Sequence, residues 1–153
     1  MNSNLIILVP WLISVVLTSF PQKKGHSFPE KLHFQPPGYV FAIVWTLLYL
    51  LLGLYLKSLL QTKQTSFLLF LFTANMILNY AWMPVVNGYG QVQAGIFMIA
   101  AMLCLSGLMF ALDTTNSVRR ALLVPYMVWL LVAMLLNVEW SRVRSTNVVT
   151  CVA

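Results

Sequence analysis

The sequence predicts an all-α integral membrane protein, a bundle of five transmembrane helices forming a single domain over residues 1–153, and three observations carry that prediction. Hydrophobic residues make up 60% of the chain and charged residues 8%, whereas soluble domains run at roughly 45–50% and about 25%. Mean hydropathy is correspondingly +0.84. The apolar residues fall into five runs, and a helical span needs ~20 of them. Lys and Arg stand at the edges of those runs, where side chains meet lipid headgroups.

The first run covers about 5–20, with Pro10 inside it and Pro21, Lys23 and Lys24 closing it. No basic residue precedes it and no clear small-x-small cleavage site follows, so it reads as a short first helix and not as a signal peptide. The second, about 39–56, carries no charge and lies between Pro36-Pro37-Gly38 and Lys57; proline suits a first helical turn, where its missing N–H costs nothing. The third, about 66–86, ends at Pro84 and the turn-forming Asn87-Gly88-Tyr89-Gly90. The fourth, about 92–112, stops at Asp113-Thr114-Thr115-Asn116-Ser117, rich in cap and turn formers. The fifth, about 121–140, lies between Arg119-Arg120 and Arg142. Five spans put the two termini on opposite sides of the bilayer.

The net charge of +6 comes from nine cations against three acids, set singly or in pairs beside apolar runs. That distribution marks interface anchors and excludes a nucleic-acid footprint. The first loop and C-terminal tail hold Lys23, Lys24, Lys31, Arg142 and Arg144, while the other side holds Lys57, Lys63, Arg119 and Arg120. A five-to-four split is too small to fix topology by the positive-inside rule; it leans toward a cytosolic first loop and C terminus. Cys104 lies inside an apolar run and Cys151 near the end, in settings too different to argue a disulfide. No Cys/His metal spacing, phosphate loop or nucleophile–base pair is present, so no cofactor or metal is expected. His26, Glu30 and His33 share the Pro-rich first loop, where a solvated role is expected. No ionisable residue lies deep in a span, which disfavours coupled transport.

Polar and aromatic residues inside the spans form stripes. Asn75, Asn79 and Trp82 share one face of the third helix; Tyr126, Trp129, Ala133, Asn137 and Trp140 share one face of the fifth; Phe41, Trp45, Tyr49 and Leu52 share one face of the second. Two readings of these stripes stand side by side. Asn79 and Asn137 could be interhelical glue in an aromatic core, with Trp11 and Trp140 in interfacial belts. Alternatively the stripes wall a pocket for a flat, mostly apolar ligand oriented by a few amides. On the fourth helix Ala100, Cys104, Gly107 and Ala111 form a small-residue stripe that permits close backbone approach, within the bundle or across a homodimer.

Three blocks resemble the translocator protein family, also called tryptophan-rich sensory proteins or peripheral benzodiazepine receptors. Pro36-Pro37 followed by Trp45, Tyr49 and Gly53 is similar to the start of that family's second helix. Leu78-Asn79-Tyr80-Ala81-Trp82-x-Pro84 resembles its third-helix block, and Pro125-Tyr126-x-x-Trp129-x-x-x-Ala133-x-x-Leu136-Asn137 its last-helix signature. The resemblance implies a cavity open toward the first-loop side that binds porphyrins, haem-like tetrapyrroles, sterols and benzodiazepine-type ligands. It implies Trp45, Tyr49, Asn79, Trp82, Tyr126, Trp129, Ala133 and Asn137 as ligand-binding residues, which coincide with the stripes. The expected role is therefore a membrane receptor for such ligands; a porphyrin-degrading enzyme using Trp45 and Trp82, or a sterol or tetrapyrrole transporter, are the alternatives. Ala94 and Met98 stand where relatives often have Trp and an acid, and Val138 replaces the Tyr of a proposed cholesterol motif ending at Arg142. Leu54-Tyr55-Leu56-Lys57 satisfies a loose sterol pattern.

Overall fold

A computed structural model describes residues 4–19, 36–62, 66–114 and 116–150, with side chains described through Leu17 in the first helix and Val143 in the last. The expectations for Lys23, Lys24, His26, Glu30, Lys31, His33, Lys63 and Cys151, and for the side chain of Arg144, lie outside the described residues.

All regular secondary structure among the described residues is helical, with no strand. A 3-10 turn, Leu5–Leu8, leads into α1, Val9–Ser19. Pro10 falls in the first turn of α1, where it breaks no hydrogen bond. Helix α2 spans Gly38–Leu60 and starts directly after extended Pro37. It runs past Lys57 because a charge at the bilayer edge ends the apolar run without ending the helix.

Helix α3, Ser66–Met83, continues into a π-helical turn, Pro84–Gly88. Tyr89 N–H donates to the Pro84 carbonyl across that wider turn at 3.0 Å; proline has no N–H of its own to give to the preceding α turn. Gly90, at φ 67°, then reverses the chain. Helix α4 is Val92–Leu112.

The fifth span comes in two pieces, α5 at Ser117–Ala121 and α6 at Val124–Thr150, where one helix over about 121–140 is expected. Asn116 caps α5 by accepting from Arg119 N–H at 3.1 Å. Pro125 in the first turn of α6 explains the break at 122–123. The backbone of α6 also continues helical beyond Trp140, because the end of the apolar stretch does not end a helix that is already nucleated.

Four helical stretches, Gly38–Leu60, Ser66–Gly88, Val92–Leu112 and Ser117–Val143, are long and apolar enough to cross a membrane, and a shorter apolar helix precedes them. Helix α4 packs against both α3 and α6, and α2 packs against α1 and the 3-10 turn before it. Outward residues such as Phe70, Ile77, Phe97 and Leu135 are exposed and apolar, the surface a bilayer solvates. The protein is thus an integral, multi-pass membrane bundle.

The small-residue stripe of α4 does not pack inside this bundle. Cys104 and Ala111 are exposed, and a Cβ on Gly107 would meet no atom within 4 Å. Tyr55 of the loose sterol pattern is fully buried and stacks on Phe72 with ring centroids 5.8 Å apart, so that pattern presents no aromatic ring to lipid.

Arg119 departs from the role of interface anchor. It is 2% exposed, and its guanidinium donates to both carboxylate oxygens of Asp113, itself 1% exposed. A further N–H reaches the Ser58 carbonyl at 3.3 Å and the Thr62 hydroxyl at 3.0 Å. The turn between α4 and α5 folds Arg119 over the C-terminal end of α2, whose last carbonyls lack helical partners and attract a cation.

Candidate functional site

Between the helices, at the end holding the start of α2 and the π turn, lies a cavity of about 630 Å³. Helices α1 to α4 and α6 all contribute to its wall, and none of its described lining residues is charged. The one-turn spacing of the α2 stripe explains one side: Trp45 and Tyr49 stack at 5.5 Å, and Tyr49 meets Tyr80 of α3 at 6.0 Å. Across the cavity Trp129 of α6 meets Phe41 edge to face at 5.5 Å, a geometry that suits the positive edge and negative face of aromatic rings.

Of the residues expected at the site, Trp45, Tyr49, Asn79, Trp82, Trp129, Ala133 and Asn137 line this cavity together. Tyr126 does not. It is fully buried beneath the wall and holds together a chain of hydrogen bonds. Tyr49 OH donates to Asn79 Oδ1 at 2.7 Å, Asn79 Nδ2 to Tyr126 OH at 3.2 Å, and Tyr126 OH to Asn75 Oδ1 at 2.7 Å. Asn75 Nδ2 then donates to the Met102 carbonyl and to Ser106 Oγ, both at 2.9 Å. One chain therefore links α2, α3, α6 and α4, satisfying polar groups that lipid cannot.

Asn79 is interhelical glue in the expected sense, while Asn137 is not: its Nδ2 donates to the Ala133 carbonyl of its own helix at 2.9 Å. Trp140 is 8% exposed and lines the cavity instead of sitting in an interfacial belt. Its place on the α6 stripe was the available signal. Tyr80 was missed because it lies off the third-helix stripe; it lines the cavity and donates to the Pro10 carbonyl at 2.9 Å, tying α1 to the wall. Removing the Tyr126 hydroxyl by Tyr126→Phe is expected to lower stability by about 1–2 kcal/mol, since it strands one acceptor and one donor. Thermal unfolding in detergent checks this, with cavity binding expected to change little.

The model of the TspO/MBR family matches residues 5–142, nearly the whole chain. The chain belongs to the TspO/MBR family. The "Tryptophan-rich sensory protein" of Cereibacter sphaeroides is 29% identical over 112 residues, covering 72% of this chain and 71% of the relative. The "Translocator protein homolog" of Schizosaccharomyces pombe is 29% identical over 140 residues, covering 85% and 82%. The "Tryptophan-rich protein TspO" of Archaeoglobus fulgidus is 32% identical over 110 residues, covering 71% and 72%. The three TspO/MBR-like blocks at 36–53, 78–84 and 125–137 all lie within the matched stretch, and in space they supply most of the cavity wall.

Proposed function

We propose that this member of the TspO/MBR family is a membrane receptor for flat, mostly apolar ligands of the porphyrin or haem type, held within the bundle without turnover. The observation that carries the reading is the uncharged cavity of about 630 Å³ walled by the rings of Phe41, Trp45, Tyr49, Trp82 and Trp129, a size within the ~300–1,000 Å³ range of small-molecule sites. Trp45, Tyr49, Asn79, Trp82, Trp129, Ala133 and Asn137 are the contact residues in this reading. Tyr126 supports them from behind. Indole and phenol rings supply broad faces to a planar macrocycle, and the amides fix its orientation.

Titration of the purified protein with protoporphyrin IX, followed by tryptophan quenching, tests the proposal. Saturable one-site quenching is expected. Trp45→Leu and Trp129→Leu should each weaken binding by a factor of about 3–10, the scale of ~0.5–1.5 kcal/mol for an aromatic contact. The same complex incubated in light and in darkness separates binding from degradation: an unchanged porphyrin spectrum supports a receptor, and a product spectrum that needs Trp45 or Trp82 supports an enzyme. Sterol is a poorer fit on α6, where Val138 offers no ring to stack on a sterol and Arg142 is largely exposed beside Glu139.

A further inference from the structure

At the end of the bundle away from the cavity, α5 carries two consecutive arginines with different surroundings. Arg119 turns inward and occupies both carboxylate oxygens of Asp113. Arg120 stands about 100° further round the helix and cannot share that carboxylate. Its guanidinium lies over the Phe110 ring of α4, 4.5 Å from the centroid, the geometry of a cation–π contact. Its Nε is buried without a hydrogen-bond partner. The ion pairs among the described residues, Arg119 with Asp113 and Arg142 with Glu139, leave Arg120 out. A guanidinium presents a fork of N–H donors along its edge, shaped for two oxygens of one anion. Here the face of the group is held by a ring and the edge has no oxygen to meet. Neither Phe110 nor Arg120 lines the cavity.

We propose that Arg120, held on the Phe110 ring, is a headgroup site for an anionic phospholipid, whose phosphodiester oxygens accept from the guanidinium edge. Position selects a lipid over a free phosphate. Leu112, two residues after Phe110, and Val118, two before Arg120, are both exposed and apolar, so this end of the bundle offers acyl chains a surface as well as a charge. An ion arriving from water would satisfy the arginine and leave those side chains uncovered. Charge selects an anionic lipid over a zwitterionic one. Asp113 is taken by Arg119 and Glu139 lies beside Arg142, so no described carboxylate offsets Arg120. Lys57, at the same end, donates to the neutral Asn4 amide. A choline group would bring one more cation to that end, whereas a headgroup with net negative charge balances it.

The test is thermal unfolding of the full chain in a neutral detergent, titrated separately with dioctanoyl-phosphatidylglycerol, dioctanoyl-phosphatidylcholine, dioctanoylglycerol and inorganic phosphate. Phosphatidylglycerol is expected to raise the midpoint saturably, with an apparent affinity about fivefold above that of phosphatidylcholine, the scale of one basic residue's attraction to an anionic lipid surface. Dioctanoylglycerol supplies the chains without the phosphate and inorganic phosphate the anion without the chains; neither should act saturably over the same range. Arg120→Gln should erase the preference for phosphatidylglycerol. Arg120→Lys should keep part of it, because the charge remains while the fork is lost, and Lys57→Gln should leave it intact. The lipid comparison in the unsubstituted chain stands even if a variant fails to fold. Equal affinity for the two phospholipids, or a preference that survives Arg120→Gln, overturns the site. A shift by inorganic phosphate as large as that by phosphatidylglycerol overturns the lipid assignment, and an equal shift by dioctanoylglycerol overturns any part for the phosphate. These outcomes are independent of what the cavity holds.

Discussion

Arg119→Ala is expected to destabilise the bundle by about 3–5 kcal/mol, because it leaves the Asp113 carboxylate buried without its counter-charge. The loss also removes the donors that cover the Ser58 carbonyl and the Thr62 hydroxyl. A double replacement, Asp113→Leu with Arg119→Met, takes both charges away together and should recover much of the stability, since an apolar pair of similar volume needs no compensation. Thermal unfolding of the three proteins in one detergent decides the matter. A double variant as unstable as Arg119→Ala would show that the ion pair is not the source of the effect.

The second large effect belongs to Gly53. A Cβ there would stand 1.9 Å from the carbonyl oxygen of Ile7 and 2.8 Å from its Cα. These are backbone atoms that no rotamer change can move. Gly53→Ala is therefore expected to push the N-terminal turn and α1 off α2, at a cost near ~3 kcal/mol, the upper end for overpacking. Lys57 would lose its 2.8 Å bond to Asn4, and Ser14 and Leu17 would leave the cavity wall. The measurements are the thermal transition and the affinity for protoporphyrin IX, both of which should fall together. A wild-type transition in Gly53→Ala would mean that α1 is not held by this contact.

The spans could be read from the chain because lipid imposes one rule on every residue that faces it, and five apolar runs obey it. The same rule turns Asn79 and Asn137 inward, and with them the aromatic residues that share their stripes, but it does not tell glue from the wall of a pocket. Periodicity reports a direction, however, and carries no depth. Tyr126 and Trp129 share a stripe, yet Trp129 reaches the cavity and Tyr126 stops beneath its floor. Asp113 and Arg119 were hidden for another reason: charges at the ends of apolar runs look like headgroup anchors, and only the fold-back of the chain through α5 brings the two together over α2. Gly53 is visible as a glycine in a helix, but its reason for being glycine is the Ile7 backbone, which lies 46 positions earlier in the chain.

The apolar stretch of α2, residues 38–56, spans about 28 Å along its axis, close to the ~30 Å of a bilayer core. Lys57 therefore stands at headgroup level with little slack, and a thicker membrane draws its ammonium toward the acyl chains at fractions of a kcal/mol per ångström. That ammonium donates to Asn4 Oδ1 at 2.8 Å. Bilayer thickness thus becomes a variable that pulls on the N-terminal turn, whose seat on α2 depends on a missing methyl group at Gly53.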